Sequence, residues 1–139
     1  MPKCHVEEQV ELAASPAAVW QMIGDFADLD WIPGIADATM TVEGKGVGAL
    51  RRLELEDGMV VERLESYQDG SAYSYSVTEG PLPLANYLAE LRVESVGSGS
   101  RVSWASDFDP KDVPAVEAED FVKELYTTGL AAVKAQLDG

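Results

Sequence analysis

Between residues 53 and 62 the chain reads Leu-Glu-Leu-Glu-Asp-Gly-Met-Val-Val-Glu, two alternating runs on either side of Asp57-Gly58. Alternation of apolar and polar residues is the period of a half-buried strand, and Asp-Gly between two such runs calls for a two-residue primed turn. Pairing outward from that turn sets Leu55 against Val60, Leu53 against Glu62 and Arg51 against Leu64. Side chains alternate faces, so Arg51, Leu53, Leu55, Val60, Glu62 and Leu64 share one face. That face carries four apolar residues and is assigned to the interior. It also carries Arg51 and Glu62 as diagonal neighbours, close enough for long side chains to meet. A buried pair of this kind gains little over apolar replacements, because desolvation offsets most of the attraction. Its retention fits a polar anchor inside a pocket that orients a mostly apolar ligand; a pair near the sheet end with its heads in water is the plainer alternative.

The rest of the chain supplies a sheet and one long helix. His5 to Ala14 reads as a first strand. Ser15-Pro16 is an N-cap followed by a first helical residue, with Val19, Trp20, Met22, Ile23 and Phe26 as the apolar stripe behind it. Gly24-Asp25 interrupts, Phe26 to Trp31 is expected as a second short helix, and Pro33-Gly34 ends the segment. Short apolar runs then follow from Ala38, with a strand at Ala72 to Glu79. Pro81 and Pro83 force a break before a hairpin of Tyr87 to Val96 and Arg101 to Phe108. Its expected loop, Gly97-Ser98-Gly99-Ser100, pairs Val93 with Trp104, Leu91 with Ser106 and Ala89 with Phe108. After Asp109-Pro110 the pattern turns helical for about 24 residues, with Asp112 as the expected cap. Val122, Leu125, Tyr126, Gly129, Val133 and Leu137 form its apolar face.

By the same parity, Tyr73, Tyr75, Tyr87, Trp104 and Phe108 converge with Leu53 on the surface that the terminal helix covers with Leu125 and Tyr126. Buried tyrosine hydroxyls and indole N–H groups seek partners, which suits a wet or ligand-filled interior. Gly129 inside a helix costs about 1 kcal/mol against alanine and marks close approach to the sheet or to a ligand.

At 139 residues the chain is expected to form a single domain, 1–139. Its formal charge of −15 repels phosphate backbones and anionic headgroups, which argues against nucleic-acid partners and electrostatic membrane docking. Cys4 and His5 are the only cysteine and histidine, so no disulfide framework and no metal site are expected. No apolar stretch approaches a membrane span or a signal segment, and the expected location is the cytoplasm.

Pro16 to Trp20, Gly24-Asp25-Phe26, Trp31-Ile32-Pro33-Gly34, Gly46-Val47-Gly48-Ala49-Leu50-Arg51, Asp57-Gly58 and Glu62-Arg63-Leu64 resemble the bacterial SRPBCC (START-like) proteins of the polyketide cyclase/dehydrase type. Tyr73 to Tyr75, Glu79-Gly80-Pro81-Leu82-Pro83 with Tyr87, and Ser100 to Trp104 with Phe108 extend the resemblance over residues 5 to 137. It implies an α+β helix-grip fold, also that of birch-pollen-allergen-like proteins: a curved seven-stranded antiparallel sheet wrapped around a long C-terminal helix. Two short helices between strands 1 and 2 close one end, and a deep cavity lies between sheet and helix. The resemblance also implies that Arg51 and Glu62 point into that cavity, and that segments around Trp31 to Gly34 and Gly80 to Asn86 flank its mouth.

The family binds or transports hydrophobic small molecules such as polyketides, lipids or sterols, and some members cyclise or dehydrate aromatic polyketides. Binding or transport is therefore the first expectation, with Trp31, Arg51, Leu53, Glu62, Tyr73, Tyr75, Tyr87, Trp104, Phe108, Leu125, Tyr126 and Gly129 as the ligand-binding residues and Arg51 suited to a ligand carboxylate or carbonyl. The alternative is a cyclase/dehydrase with Glu62 as acid/base, for which the absence of an internal histidine is a departure and the nearby Arg51, favouring the ionised carboxylate, an obstacle. A protein-interaction module using the acidic outer face is the third reading. No cofactor is implied, and the oligomeric state, monomer or dimer, is left open.

Overall fold

The computed structural model describes residues 3–35, 38–56 and 58–138. Seven strands form one antiparallel sheet: β1 (Cys4–Leu12), β2 (Thr39–Glu43), β3 (Leu50–Leu55), β4 (Gly58–Gln68), β5 (Ala72–Glu79), β6 (Leu84–Val96) and β7 (Gly99–Pro110). Their spatial order is β1-β7-β6-β5-β4-β3-β2. Helix α1 (Pro16–Ile23) follows β1, and the 24-residue helix α2 (Ala115–Asp138) closes the chain. This is the helix-grip α+β architecture. Register shifts at Val61/Glu62 and Leu64/Ser66 in the β4–β5 ladder, and at Ala85/Leu88 against β7, are irregularities of the kind that bend strands and raise local twist. No helix among the described residues is long and apolar enough to cross a membrane.

Both hairpins keep the expected faces but slide by two residues. In the first, Leu55 pairs with Gly58, Leu53 with Val60 and Arg51 with Glu62. The pairing thus closes at Leu55 and Gly58, so Gly58 belongs to β4 rather than to the turn; Asp57, the other expected turn residue, lies outside the described residues. In the second, Val96 pairs with Gly99, Val93 with Val102 and Leu91 with Trp104, leaving only Gly97-Ser98 as loop. Gly97 takes φ 57°, as a primed two-residue turn requires of its first central residue. A two-residue slide conserves side-chain parity, so the inner face is unchanged while each cross-strand partner changes.

Helix α1 starts as its sequence dictates, with Ser15 Oγ accepting from Ala18 N at 3.2 Å and Pro16 as first helical residue. The expected second short helix over Phe26 to Trp31 does not form. Asp25 and Asp28 accept hydrogen bonds from the amides of Ala27 and Asp30 at 2.8 and 2.9 Å, the local turns by which aspartate competes with a helix. The chain instead runs through successive turns that still bury Phe26, Leu29, Trp31 and Ile32. At the start of α2, Asp112 is not the cap; it sits at φ 61° outside the helix. Val113, preceding a proline, is pushed away from helical geometry, and the carbonyl of Pro114 accepts from Ala118 N at 3.2 Å instead.

Helix α2 buries Ala118, Val122, Tyr126, Gly129, Leu130 and Val133. Gly129 lets it press onto two indoles. A Cβ there would lie 3.0 Å from Trp104 Cζ3 and 3.4 Å from Trp31 Cζ3, so this glycine serves helix–sheet contact. Alanine would gain about 1 kcal/mol of helix propensity, whereas overpacking a fixed site costs about 1–3 kcal/mol. Gly129→Ala is expected to lower the urea midpoint of unfolding; a higher midpoint would show that the indoles can yield.

Candidate functional site

The interior charge pair is built by β3 and β4. Arg51 and Glu62 stand directly opposite each other, and Arg51 Nε donates to Glu62 Oε1 at 2.6 Å. Arg51 Nη1 donates to the carbonyl of Phe26 at 2.8 Å, and the guanidinium carbon lies 4.1 Å from the centroid of the Phe26 ring and 4.8 Å from that of Tyr75. Arg51 is 2% exposed. Burial works against its charge, but Glu62, Tyr73 and Tyr75 outweigh it and hold the guanidinium above its usual pKa. Arg51 is thus turned inward and sealed under Phe26, and the alternative of a pair with its heads in water is not what forms.

Around this pair the aromatic residues stack on one another. Phe26 meets Tyr73 edge-on, Tyr73 adjoins Tyr75, Tyr75 adjoins Tyr87, and Tyr87 adjoins Phe108, each at about 6 Å between centroids. Trp104 lies between Tyr126, stacked at 4.2 Å, and Trp31 at 5.4 Å. The polar atoms of Trp104, Tyr75, Tyr87 and Tyr126 form one chain, while the buried Trp31 Nε1 has no partner among the described residues. Trp104 Nε1 donates to the Tyr75 hydroxyl at 3.1 Å, Tyr75 and Tyr87 hydroxyls pair at 3.3 Å, and Tyr87 bonds to Tyr126. Burial pushes the Tyr73, Tyr75, Tyr87 and Tyr126 hydroxyls above the ordinary tyrosine pKa.

What remains open is a cavity of about 190 Å³ between β3–β6 and the first half of α2. Of the expected ligand-binding residues, Leu53, Glu62, Tyr75, Tyr87 and Leu125 line it. Trp31, Arg51, Tyr73, Trp104, Phe108, Tyr126 and Gly129 do not; they pack behind it as core. Wall residues that sequence reasoning left out of the site are Ile35, Leu82, Leu84, Phe121 and Val122, together with Leu55, Val60 and Val77. Parity had already turned Leu55 and Val60 inward, and the same alternation along β5 puts Val77 on the face of Tyr73 and Tyr75. Leu82 lies between two prolines and Ile35 follows Pro33-Gly34, so both sit in turns where no period marks a face. Phe121 is 40% exposed, and Ile35, Leu55, Leu82 and Leu125 are half-buried, which places the mouth at the start of α2 beside the 80–86 segment.

A larger recess of about 570 Å³ lies on the opposite side of Phe26, between α1 and the 42–49 segment, walled by Trp20, Val42, Lys45 and Tyr67. Phe26 is part of its wall, and neither Arg51 nor Glu62 is. Among the described residues no group of three or more histidine, cysteine or carboxylate side chains could hold a metal ion. His5 is on β1, paired with Asp107 at 2.8 Å and exposed.

A curved antiparallel sheet gripping a terminal helix over an apolar cavity defines the helix-grip class of small-molecule-binding folds. Residues 3–138 match the family model described as polyketide cyclase/dehydrase and lipid transport, and the chain belongs to that family. Among solved structures it resembles XoxI from Bacillus cereus (36% identity over 96% of this chain and 95% of that one, TM-score 0.85). It also resembles a Bacillus thuringiensis protein (35% identity, 98% and 100% covered, TM-score 0.85). Ara h 8.0201, at 19% identity with 96% and 97% covered and a TM-score of 0.76, shares the fold. No curated protein matches the chain.

The buried tyrosines give the site a pH signature. Their pKa values in the folded protein lie above the unfolded value of about 10, so their contribution is intact below that pH and is lost as pH rises past it. Absorbance titration at 295 nm is expected to show the exposed Tyr67 ionising while the protein is folded, with the other four tyrosinates appearing together with loss of far-UV circular dichroism. Gradual ionisation of all five in the folded state would contradict the sealed network.

Proposed function

We propose that this protein binds and carries a hydrophobic small molecule in the cavity between β3–β6 and α2. The observation that carries the reading is the composition of the cavity wall: aliphatic side chains and Phe121 on nearly all sides, with Glu62, Tyr75 and Tyr87 as its polar members. Such a wall supplies affinity by apolar burial, at about 25 cal/mol per Å², and orientation through a few placed polar atoms. Membership in a family described by polyketide chemistry and lipid transport supports the same reading. The acidic surface, at −15 overall, keeps the protein from nucleic acid and anionic membranes and suits a single cytoplasmic domain.

A cyclase/dehydrase would use the same carboxylate, and the place of Glu62 on the wall favours that as the second reading. Binding is preferred because Glu62 Oε1 is already held by Arg51, and the chain's one histidine is exposed on β1, away from the cavity.

Propylbenzene, one ring with a short tail, serves as probe. Saturating ligand raises the melting temperature by mass action on the folded state, and one equivalent per chain is expected. Val77→Phe, at a half-buried wall position, is expected to keep the circular dichroism spectrum and abolish the shift. No shift in the wild type, or an undiminished one in the folded variant, would refute binding at this cavity.

A further inference from the structure

We infer that the cavity selects small uncharged compounds bearing a hydroxyl, which donates to the free oxygen of Glu62, and that it discriminates against carboxylic acids. The inference rests on the binding reading above and adds the polarity and size of the ligand. It reverses the expectation that Arg51 would receive a ligand carboxylate.

The polarity follows from which half of the ion pair reaches the hollow. Arg51 is absent from the wall; its guanidinium points at Glu62 Oε1 and the Phe26 carbonyl and lies among the Phe26, Tyr73 and Tyr75 rings. Glu62 is on the wall, and its side chain keeps 11% exposure. Its Oε1 is satisfied by Arg51, while no donor among the described residues reaches Oε2. An ionised carboxylate offers acceptors only. An occupant therefore gains by presenting O–H or N–H at this point, and a second carboxylate would meet repulsion there as well as from the net charge of the chain.

The tyrosine chain supplies the complementary half. Three hydroxyls, those of Tyr75, Tyr87 and Tyr126, share two hydrogen bonds, and the indole of Trp104 brings a further donor to Tyr75. Two bonds use two of the three hydroxyl protons, and the third is left for another acceptor, which is the buried and otherwise unpartnered Ser106 Oγ when the chain is polarised toward Tyr126. When the chain is polarised toward Tyr75, which lies on the wall, that acceptor is an occupant's oxygen. One hydroxyl can donate to Glu62 and accept from tyrosine; an ether or carbonyl can only accept. An indole-type or amide N–H would also satisfy Glu62, but its nitrogen cannot accept in return because its lone pair is delocalised.

Size sets the remaining limit. About 190 Å³ lies below the ~300 Å³ at which pockets for drug-sized ligands begin, and equals the share of roughly six waters in the liquid. One ring with a short substituent fits; a fused multi-ring polyketide does not fit the cavity as it stands.

Four probes of one shape separate these contributions: propylbenzene, 4-propylphenol, 4-propylanisole and 4-propylbenzoate, titrated calorimetrically into the wild type at pH 7. The phenol is expected to bind at least tenfold more tightly than propylbenzene and the anisole, with the benzoate weakest. Equal binding of phenol and anisole, or a benzoate as tight as the phenol, would overturn the inference while leaving cavity binding in place. Absence of binding by all four would remove the cavity reading as well. In the double variant Arg51→Met/Glu62→Leu, which leaves no unpaired charge behind, the advantage of phenol over anisole is expected to fall to within about twofold. An unchanged advantage there would assign the selectivity to some other group.

Discussion

A guanidinium buried to 2% exposure must be neutralised where it lies, because an isolated charge taken out of water costs several kcal/mol even after relaxation. Glu62 does this at 2.6 Å from the adjacent strand, and the geometry that permits it constrains much else. Arg51 must face Glu62 across the β3–β4 ladder, which fixes the register of the first hairpin. The carbonyl of Phe26 must come within reach of Nη1, which fixes the path of the chain after α1. The ring of Phe26 then covers the guanidinium and closes the interior on that side. The pair contributes definition of one arrangement rather than a large gain in stability: removing one partner of such a pair costs about 3–5 kcal/mol, whereas replacing both by apolar groups is often neutral.

Beyond the pair, the interior divides into a packed half and a hollow half. The packed half is the Trp31–Trp104–Tyr126 stack and the ladder from Phe26 to Phe108, with Gly129 admitting the helix to close range. The hollow half lies toward the start of α2, where aliphatic side chains such as Leu82 and Leu84, together with Phe121, take the place of the indoles. Polar atoms sit along the border between the two, in the Tyr75–Tyr87–Tyr126 chain and in Glu62. That placement gives an apolar cavity a small number of oriented contacts without leaving an unpaired charge in it.

Parity was legible in the sequence, and most of the site depended on it. Alternation around Asp57-Gly58 placed Arg51, Leu53, Val60 and Glu62 on one face, and the structure keeps them there. Register was not legible, because a slide of two residues leaves every face unchanged and only the turn's backbone distinguishes the alternatives. The turns over Phe26 to Trp31 read as helix in the sequence because their apolar residues satisfy a helical stripe, while the competing side-chain bonds of Asp25 and Asp28 carry no periodic signal. The aromatic residues were correctly gathered, but whether they line a space or fill it depends on rotamers; Trp104 lying flat on Tyr126 converts expected lining into core. Which member of the ion pair reaches the cavity is decided by Phe26, twenty-five residues from Arg51 in the chain.

The account rests on coupling between the two charges, and a double-mutant cycle measures that coupling. Urea unfolding of Arg51→Met, Glu62→Leu and the double variant is predicted to show each single change costing about 3–5 kcal/mol and the double change costing less than either. Losses that simply add, to within about 0.5 kcal/mol, would mean that the arginine and the glutamate are held independently, and that the cavity's polarity is not set by their pairing.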